Sequence, residues 1–533
     1  RVVLHEFGHT LLWDSVHSPN FGFAHSAGDS LAAILLDPES ALRTDPVRRF
    51  ETFPWILPNR NHGRDVGTGW GWGGTNDVGG YSSEQILSTT HFRKYRSLGG
   101  DSDDVNRRKL AARQVVYLIF RAIGSLATDP VTPTPRPDVF ATALMNADIG
   151  TNNFEGYRGG AFHKVIRWSF ERQGLYQPPG APRPVTTPGA PPNVDVHIND
   201  GRDYQDNPRN GEYMFQPIHW ECTDIWNRLA QGGGAHETPV VGQINYAYVR
   251  VNNRGTQHAN NVLVRGYSAN PGVGFSWPDD WAPMDTPQIT VAGGVAPGGS
   301  VVVGPFRWRP RFIGHECMLM EVTDDRDLSN IDARTFFPCA AGPTPDWRLI
   351  PFDNNLAQRN VAPVPGDGGV RGLLSAFRNR RFLVRNPFEK QVRVEVKAEL
   401  PPFLADRRWR VRLHPDTFGL APGVGREVKV ALRPGEEFSS EELEKVAGGV
   451  AIRVLVYADG MLIGGMTYQL DPDLERAPKE KKDDEDVDLN DPAIQAAIED
   501  AQLLEEEAER GFVADTLEDV NEDFGDAIRE ENG

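Results

Sequence analysis

The sequence contains few cysteines and no long apolar run. Cys222, Cys317 and Cys339 are the three cysteines among 533 residues, and they are far apart without a CxxC pair. They can form at most one disulfide and leave the redox compartment open. No apolar stretch approaches the roughly 20 residues of a membrane-spanning helix, so we expect no transmembrane segment. GxSxG and GxxxxGK[ST] motifs are also missing, which removes the most readily recognised serine hydrolases and P-loop proteins.

The chain also lacks a basic excess. Its net charge of −18 arises at one end, because residues 471–533 contain 24 acidic and 6 basic residues, whereas residues 1–470 contain 50 of each. A nucleic-acid-binding protein needs a basic patch, so the sequence predicts no nucleic acid partner.

Composition and periodicity divide the chain into five segments. The apolar spacing is helical up to residue 176 and changes to an alternation of apolar and polar residues after a proline-rich stretch. The predicted segments are a helical region (1–176), a linker (177–193), a β-sandwich (194–364), a second β-sandwich (365–471) and an acidic tail (472–533) with a helix at 492–510. Within the first sandwich, "QINYAYVRVNNRGTQHANNVLVRGYSA" predicts two antiparallel strands joined by a turn.

The first candidate functional motif in the sequence is "HEFGH". His5 and His9 are four residues apart and therefore lie on one helical face, where both imidazoles can reach one cation. Glu6 is rotated by about 100° from His5 and can act on a water molecule at the metal. The alternative is an ordinary helix with two histidines.

A zinc site needs a third protein ligand, and "HSAGDSLAAIL" supplies candidates. Asp29 lies twenty residues after His9, and His25 lies one turn earlier on the same face. With this spacing the sequence resembles the thermolysin-like gluzincin zinc metallopeptidases, whose second helix carries an acidic ligand about twenty residues after HExxH. The resemblance implies Zn²⁺ bound by His5, His9 and Asp29, with His25 as an alternative or additional ligand.

The resemblance continues in "NDVGGYSSEQ", which is similar to the family's Asp-x-Gly-Gly segment before a helix. Asp77 matches, whereas the family's histidine corresponds to Ser82, next to Tyr81. We expect Tyr81 to replace that histidine as a hydrogen-bond donor to the developing oxyanion, with a helix-start role as the equal alternative for both residues.

Two positions depart from the family. The acid that orients a zinc histidine, four residues after the third ligand, corresponds to Ala33 here. The family's N-terminal β lobe is absent from this chain, so we expect metal binding more readily than cleavage.

The predicted fold class is a multidomain protein: a mostly α-helical peptidase lobe, two all-β immunoglobulin-like sandwiches and an acidic, partly helical tail. The predicted function is a zinc metalloendopeptidase whose sandwiches bind a polymer, a cell surface or a protein. Alternatives are a catalytically impaired scaffold protein and a zinc hydrolase of a non-peptide amide. The resemblance implies an extracellular or cell-envelope location.

Overall fold

The computed structural model describes residues 1–16, 24–55, 59–126, 137–151, 154–155, 158–176, 193–202, 216–310, 317–336, 343–365, 369–378, 380–447 and 449–471. These residues belong to two compact units. The first comprises Arg1–Ala269, Phe275–Arg311 and Cys317–Arg359, and the second comprises Asn270–Gly274, Phe312–Glu316 and Asn360–Gly533. The segment boundaries predicted from the sequence stay a prediction, and most of the linker and all of the tail, with its predicted helix at 492–510, lie outside the described residues.

The described part of residues 1–176 contains six α-helices. They are α1 (Val2–Val16), α2 (Ala24–Ile34), α3 (Gly80–Tyr95), α4 (Val105–Leu126), α5 (Pro137–Ile149) and α6 (His163–Arg172). A π-helical turn, Arg96–Gly100, follows α3 directly. Their apolar faces form one core in which α4 contributes Val115, Ile119 and Ile123 from a single face.

Helices α1 and α2 meet through two glycines. A Cβ atom on Gly8 would lie 2.5 Å from the Cα of Gly28, and one on Gly28 would overlap the carbonyl oxygen of His5. Both residues lack a side chain, so the two backbones can touch. As a result α1, which contains HEFGH, lies directly against α2.

The segment between α2 and α3 contains no α-helix among its described residues. It consists of turns, 3₁₀ turns at Asp37–Glu39, Arg48–Phe50 and Val66–Thr68, and a bridge between Glu51 and Asn61. Asp37 fixes it to the helices, since its carboxylate accepts hydrogen bonds from Arg43 and the Tyr95 hydroxyl, both at 2.9 Å, and from Arg49 at 2.8 Å.

The rest of the first unit is built mainly of strands. They are β1 (Val196–His197), β2 (Ile225–Arg228), β3 (Asn245–Asn253), β4 (Leu263–Ala269), β6 (Ser276–Trp277), β7 (Ala282–Thr290), β8 (Ser300–Trp308), β9 (Cys317–Thr323), β10 (Thr344–Pro345) and β11 (Leu356–Arg359), with the short strand β5 (Gly272–Val273) in the second unit. One sheet has the order β1-β3-β2 with β8 also paired to β3, another has the order β11-β9-β4-β7, and β10 pairs with β6. Two short helices, α7 (Asn330–Phe336) and α8 (Asp346–Leu349), interrupt the strands.

The predicted hairpin is wrong. Its two strands form as β3 and β4, but β3 pairs with β1, β2 and β8, whereas β4 pairs with β7 and β9. The connection crosses from one sheet to the other and buries Ala259 and Val262 in the core between them. Alternation of apolar and polar residues therefore located the strands without fixing their partners.

The described part of the second unit contains α9 (Gly369–Phe377), α10 (Pro402–Ala405), α11 (Ser440–Glu444) and two sheets. The strands β12 (Val361–Pro365), β14 (Val392–Glu399), β16 (Thr417–Leu420), β18 (Val450–Ala458) and β19 (Met461–Asp471) form a sheet of order β12-β19-β18-β14-β16. The strands β13 (Arg380–Arg385), β15 (Arg410–His414) and β17 (Gly425–Arg433) form the second sheet with β5, in the order β15-β17-β13-β5.

The predicted fold class is wrong. About 32% of the described residues are helical and about 31% are in strands spread over several sheets, so the fold is mixed α/β. The predicted helical lobe overlooked the long turn-rich segment between α2 and α3, and the predicted all-β modules contain α7 to α11. Proline, glycine and aspartate interrupt the helical pattern between residues 37 and 79 and favour turns there.

Two remaining sequence expectations concern membranes and thiols. Among the described helices, none is both long and apolar enough to cross a bilayer. Cys222 and Cys317 are buried free thiols, and Cys339 lies outside the described residues.

Candidate metal centre

Three histidines converge between α1 and α2. Helix α1 presents His5 and His9 on one face, and the first turn of α2 presents His25. The Nε2 atoms of His5 and His9 are 3.1 Å apart, and Nδ1 of His25 is 3.3 Å from Nε2 of His5. One ring nitrogen from each histidine lies within 4.8 Å of the other two.

The two separations of 3.1 and 3.3 Å fit a tetrahedral zinc site. Zinc binds imidazole nitrogens at about 2.0–2.1 Å, and two nitrogens at those distances in a tetrahedron are roughly 3.3 Å apart. Burial, followed by the charge of His5, lowers the pKa of His9. Burial, followed by the charge of His9, lowers the pKa of His25 to about 4. Both rings are therefore neutral at pH 7, the form that binds a metal.

Asp29 lies behind His5 rather than among the three nitrogens. Its fully buried carboxylate is 2.9 Å from Nδ1 of His5 and 3.3 Å from Nε of Arg60. The contact lacks hydrogen-bond geometry, so it is the negative charge beside Nδ1 that favours the His5 proton on that nitrogen and the lone pair on Nε2, as metal-binding histidines require. The structure thus brings His25, the alternative ligand, into the cluster and places Asp29, the first choice, beside Nδ1 on the other side of the His5 ring.

This arrangement also accounts for Ala33. The sequence comparison put the orienting acid at that position, where the alanine is buried. Asp29 follows His25 by four residues on α2, which is the spacing that the resemblance assigns to a ligand and its orienting acid, one turn earlier than the sequence indicated.

Glu6 is exposed on α1 next to the cluster. Its negative charge raises the pKa of His9, although burial and His5 outweigh it. The Glu6 carboxylate is therefore close enough to His9 to interact with it electrostatically.

The three predicted residues around α3 are placed differently from one another. The Tyr81 ring is 4.3 Å from the His25 ring, and the side chain is 57% exposed. Ser82 is half-buried in the first turn of the helix. Asp77 is occupied in its own loop, where it accepts hydrogen bonds from the backbone of Gly73 at 2.7 Å and from the Ser83 hydroxyl. Of the three, Tyr81 is the one in contact with the histidine cluster.

Two further residues support the centre and carried no recognisable sequence signal. Arg60 lies 5.0 Å from the ring centres of both Phe53 and Tyr81 and pairs with Asp29. Glu84 is buried on α3 and accepts a hydrogen bond from the backbone N–H of His25. Burial, with a contribution from Asp29, raises the pKa of Glu84 to about 7.

Comparison with known proteins identifies no family. No family model matches the chain, and no curated protein matches it. Among solved structures, similarity is found to an exo-β-D-glucosaminidase CsxA and to the exo-chitosanase CsxA of Amycolatopsis orientalis, each with 8% sequence identity and a TM-score of 0.14. The match covers 75% of this chain and 39% of each of those chains. At that TM-score the similarity carries no argument about fold or function.

Proposed function

We propose that His5, His9 and His25 bind one Zn²⁺ and that the protein is a zinc metalloendopeptidase. The observation that carries the proposal is the convergence of three ring nitrogens, with two separations of 3.1 and 3.3 Å, around one point beside Glu6. The ligand set differs from the one that the sequence favoured, because a histidine stands in place of Asp29.

Each side chain has a defined task in this proposal. Asp29 would hold His5 in the tautomer whose Nε2 lone pair faces the centre, and Arg60, 3.3 Å from Asp29, would hold that carboxylate in place. A zinc ion bound there would polarise a substrate carbonyl and lower the pKa of a water molecule towards 7.

Glu6 would accept the proton of the attacking water and pass it to the leaving amine. The exposure of Glu6 makes it accessible to both groups. Tyr81 would donate its hydroxyl hydrogen to the oxyanion that forms as the carbonyl is attacked. Support for this role is the contact between the Tyr81 ring and the His25 ring, whose centres are 4.3 Å apart.

The test uses full-length protein and separates binding from chemistry. Glu6→Gln should keep one zinc per chain and lose about 100-fold or more of the peptide cleavage, because proton transfer by a positioned base contributes about 10²–10⁴-fold. Glu39→Gln, at a 67% exposed side chain elsewhere on the surface, is the matched control and should leave both unchanged.

Tyr81→Phe should keep zinc and lower kcat by about 100-fold, the typical effect of removing one oxyanion donor. Zinc binding with cleavage that Glu6→Gln does not alter would contradict the proposed chemistry. Zinc binding with no cleavage of casein or peptides by the unaltered protein would favour the scaffold alternative.

A further inference from the structure

Lys94, in the last turn of α3, is a buried lysine without a counter-charge from the described residues. Its side chain is 1% exposed, and its Nζ atom has no hydrogen-bond partner among those residues. Burial lowers the pKa of Lys94 well below its usual value, and no described carboxylate opposes that change. Lys164 is similarly buried, but Asp327 and Asp195 lie beside its ammonium group. The two lysines therefore differ in whether the described chain supplies an anion.

His91 lies one turn before Lys94 and shows the same features. It is 1% exposed, and its Nδ1 atom has no hydrogen-bond partner in the part of the chain that the structure describes. Burial, followed by the charge of Lys94, lowers the pKa of His91. The imidazole and the Lys94 amino group are thus close enough to interact electrostatically, but they do not form a hydrogen bond with each other.

Both side chains lie against the same aromatic residues of neighbouring helices. Nζ of Lys94 is 5.5 Å from the ring centre of Phe170, in α6. The ring centre of His91 is 6.1 Å from that of Phe170 and 5.4 Å from that of Phe140, in α5. The two unpaired nitrogen atoms therefore belong to one place in the helical core, where apolar rings exclude bulk water.

The polar groups at this place are mainly hydrogen-bond donors. An ammonium group has three donors and no acceptor, and a histidine nitrogen that carries a proton also donates. A charge in apolar surroundings is very costly unless it is paired, so a protonated Lys94 needs an acceptor that carries negative charge. A water molecule would accept a hydrogen bond but would leave the charge uncompensated. The cost of taking an ion out of water rises steeply with its charge, which favours a monovalent anion.

We propose that a halide ion, such as chloride, binds between Lys94 and His91 in the core formed by α3, α5 and α6. The ammonium group of Lys94 and the Nδ1–H group of His91 both donate to it. Because only the folded chain brings the two donors together, the halide stabilises the folded protein. The proposal is independent of the metal centre, to which neither residue belongs.

The test is urea unfolding of the full chain in sodium gluconate, with bromide replacing gluconate at constant ionic strength. Bromide should lower the unfolding equilibrium constant about tenfold once its concentration is about ten times the dissociation constant. Lys94→Met introduces a flexible apolar side chain that needs no partner, and it should abolish the bromide effect. Lys397→Met, at a lysine whose side chain is 59% exposed, is the matched control and should retain the effect.

Anomalous diffraction from crystals soaked in bromide gives the position of the ion. A peak should lie between Nζ of Lys94 and Nδ1 of His91, and it should disappear in Lys94→Met. An equal bromide effect in Lys94→Met and in the unaltered protein would overturn the proposal, because bromide would then act elsewhere. The absence of any bromide effect on the unaltered protein would overturn it as well. A higher stability of Lys94→Met would in that case identify Lys94 as an uncharged buried amine.

Discussion

Two clusters of buried polar side chains lie in the first compact unit, one around Lys164 and one around His5. The Lys164 ammonium group forms an ion pair with Asp327 and lies 3.6 Å from Asp195, so this cluster contains both its cation and its anions. The His5 cluster presents three ring nitrogens to one another, while its acid, Asp29, lies on the far side of the His5 ring.

Under our proposal, the difference separates a structural cluster from a metal-binding site. Burial alone would raise the pKa of Asp195, but Arg254 and Lys164 lower it, so its charge is compensated within the chain. The backbone N–H of Lys164 also donates a hydrogen bond to the side-chain oxygen of Asn330, in α7, at 2.9 Å. In the His5 cluster the ring nitrogens have one another as neighbours, and the cation there is the Zn²⁺ of our proposal.

Of the predicted changes, removal of the Lys164 ammonium group should have the largest effect on folding stability. Lys164→Met leaves two buried carboxylates without their shared ammonium group and should lower the free energy of unfolding by about 3–5 kcal/mol. Urea unfolding measures the change. Lys397→Met, at an exposed lysine, should stay within about 0.5 kcal/mol of the unaltered protein. Similar decreases in the free energy of unfolding for the two variants would show that the Lys164 cluster does not stabilise the fold.

Low pH should destabilise the fold around both the His5 cluster and the Lys164 cluster. Burial lowers the pKa of His62, beside Asp29 and Arg60, and of His197, beside Asp195 and Arg254, to about 4 in each case. Between pH 6.5 and 4 the unfolded chain then binds more protons than the folded chain, so stability is complete above pH 6.5 and is lost as pH falls. The two histidines together predict a loss on the order of 3 kcal/mol at pH 5.5 relative to pH 7.5. Equal urea midpoints at those two pH values would contradict the burial of these neutral rings.

A smaller effect separates the acid that orients His5 from an acid that does not. Asp29→Asn should weaken zinc binding about 10–100-fold, the usual cost of losing an orienting partner, without abolishing it. Competition with a chromophoric chelator gives the dissociation constant. Asp77→Asn, in the loop that holds Gly73, is the control and should leave zinc affinity unchanged. Complete loss of zinc in Asp29→Asn would instead favour Asp29 as a direct ligand.

Most of the proposed centre could be predicted from the sequence because the spacing of its histidines is short. His5 and His9 share a face by helical geometry alone, and the position of α2 brings either His25 or Asp29 near them. The choice between the two depends on how closely the helices approach, which Gly8 and Gly28 determine and no pattern within one helix reveals. Arg60 could not be predicted, since it reaches Asp29 from a turn-rich segment without periodicity.

The same limit applies to the fold. Alternating residues predicted β3 and β4 as strands, yet their pairing depends on contacts between distant parts of the chain. The predicted helical region wrongly includes residues 37–79, because the flanking helices α2 and α3 dominate the apolar periodicity. Local spacing therefore predicts which side chains share one face of a helix or strand. Which strands pair, and how far apart side chains of different elements lie, depends on packing between the elements.

Zinc stoichiometry in His25→Ala tests the central claim most directly. Each variant is prepared without metal, given an excess of Zn²⁺, freed of unbound ion and measured by elemental analysis against protein concentration. We predict one zinc per chain for the unaltered protein and for the control His258→Ala, an exposed histidine in the strand region, and none for His25→Ala. One zinc per chain in His25→Ala, or none in the unaltered protein, would contradict a three-histidine metal centre.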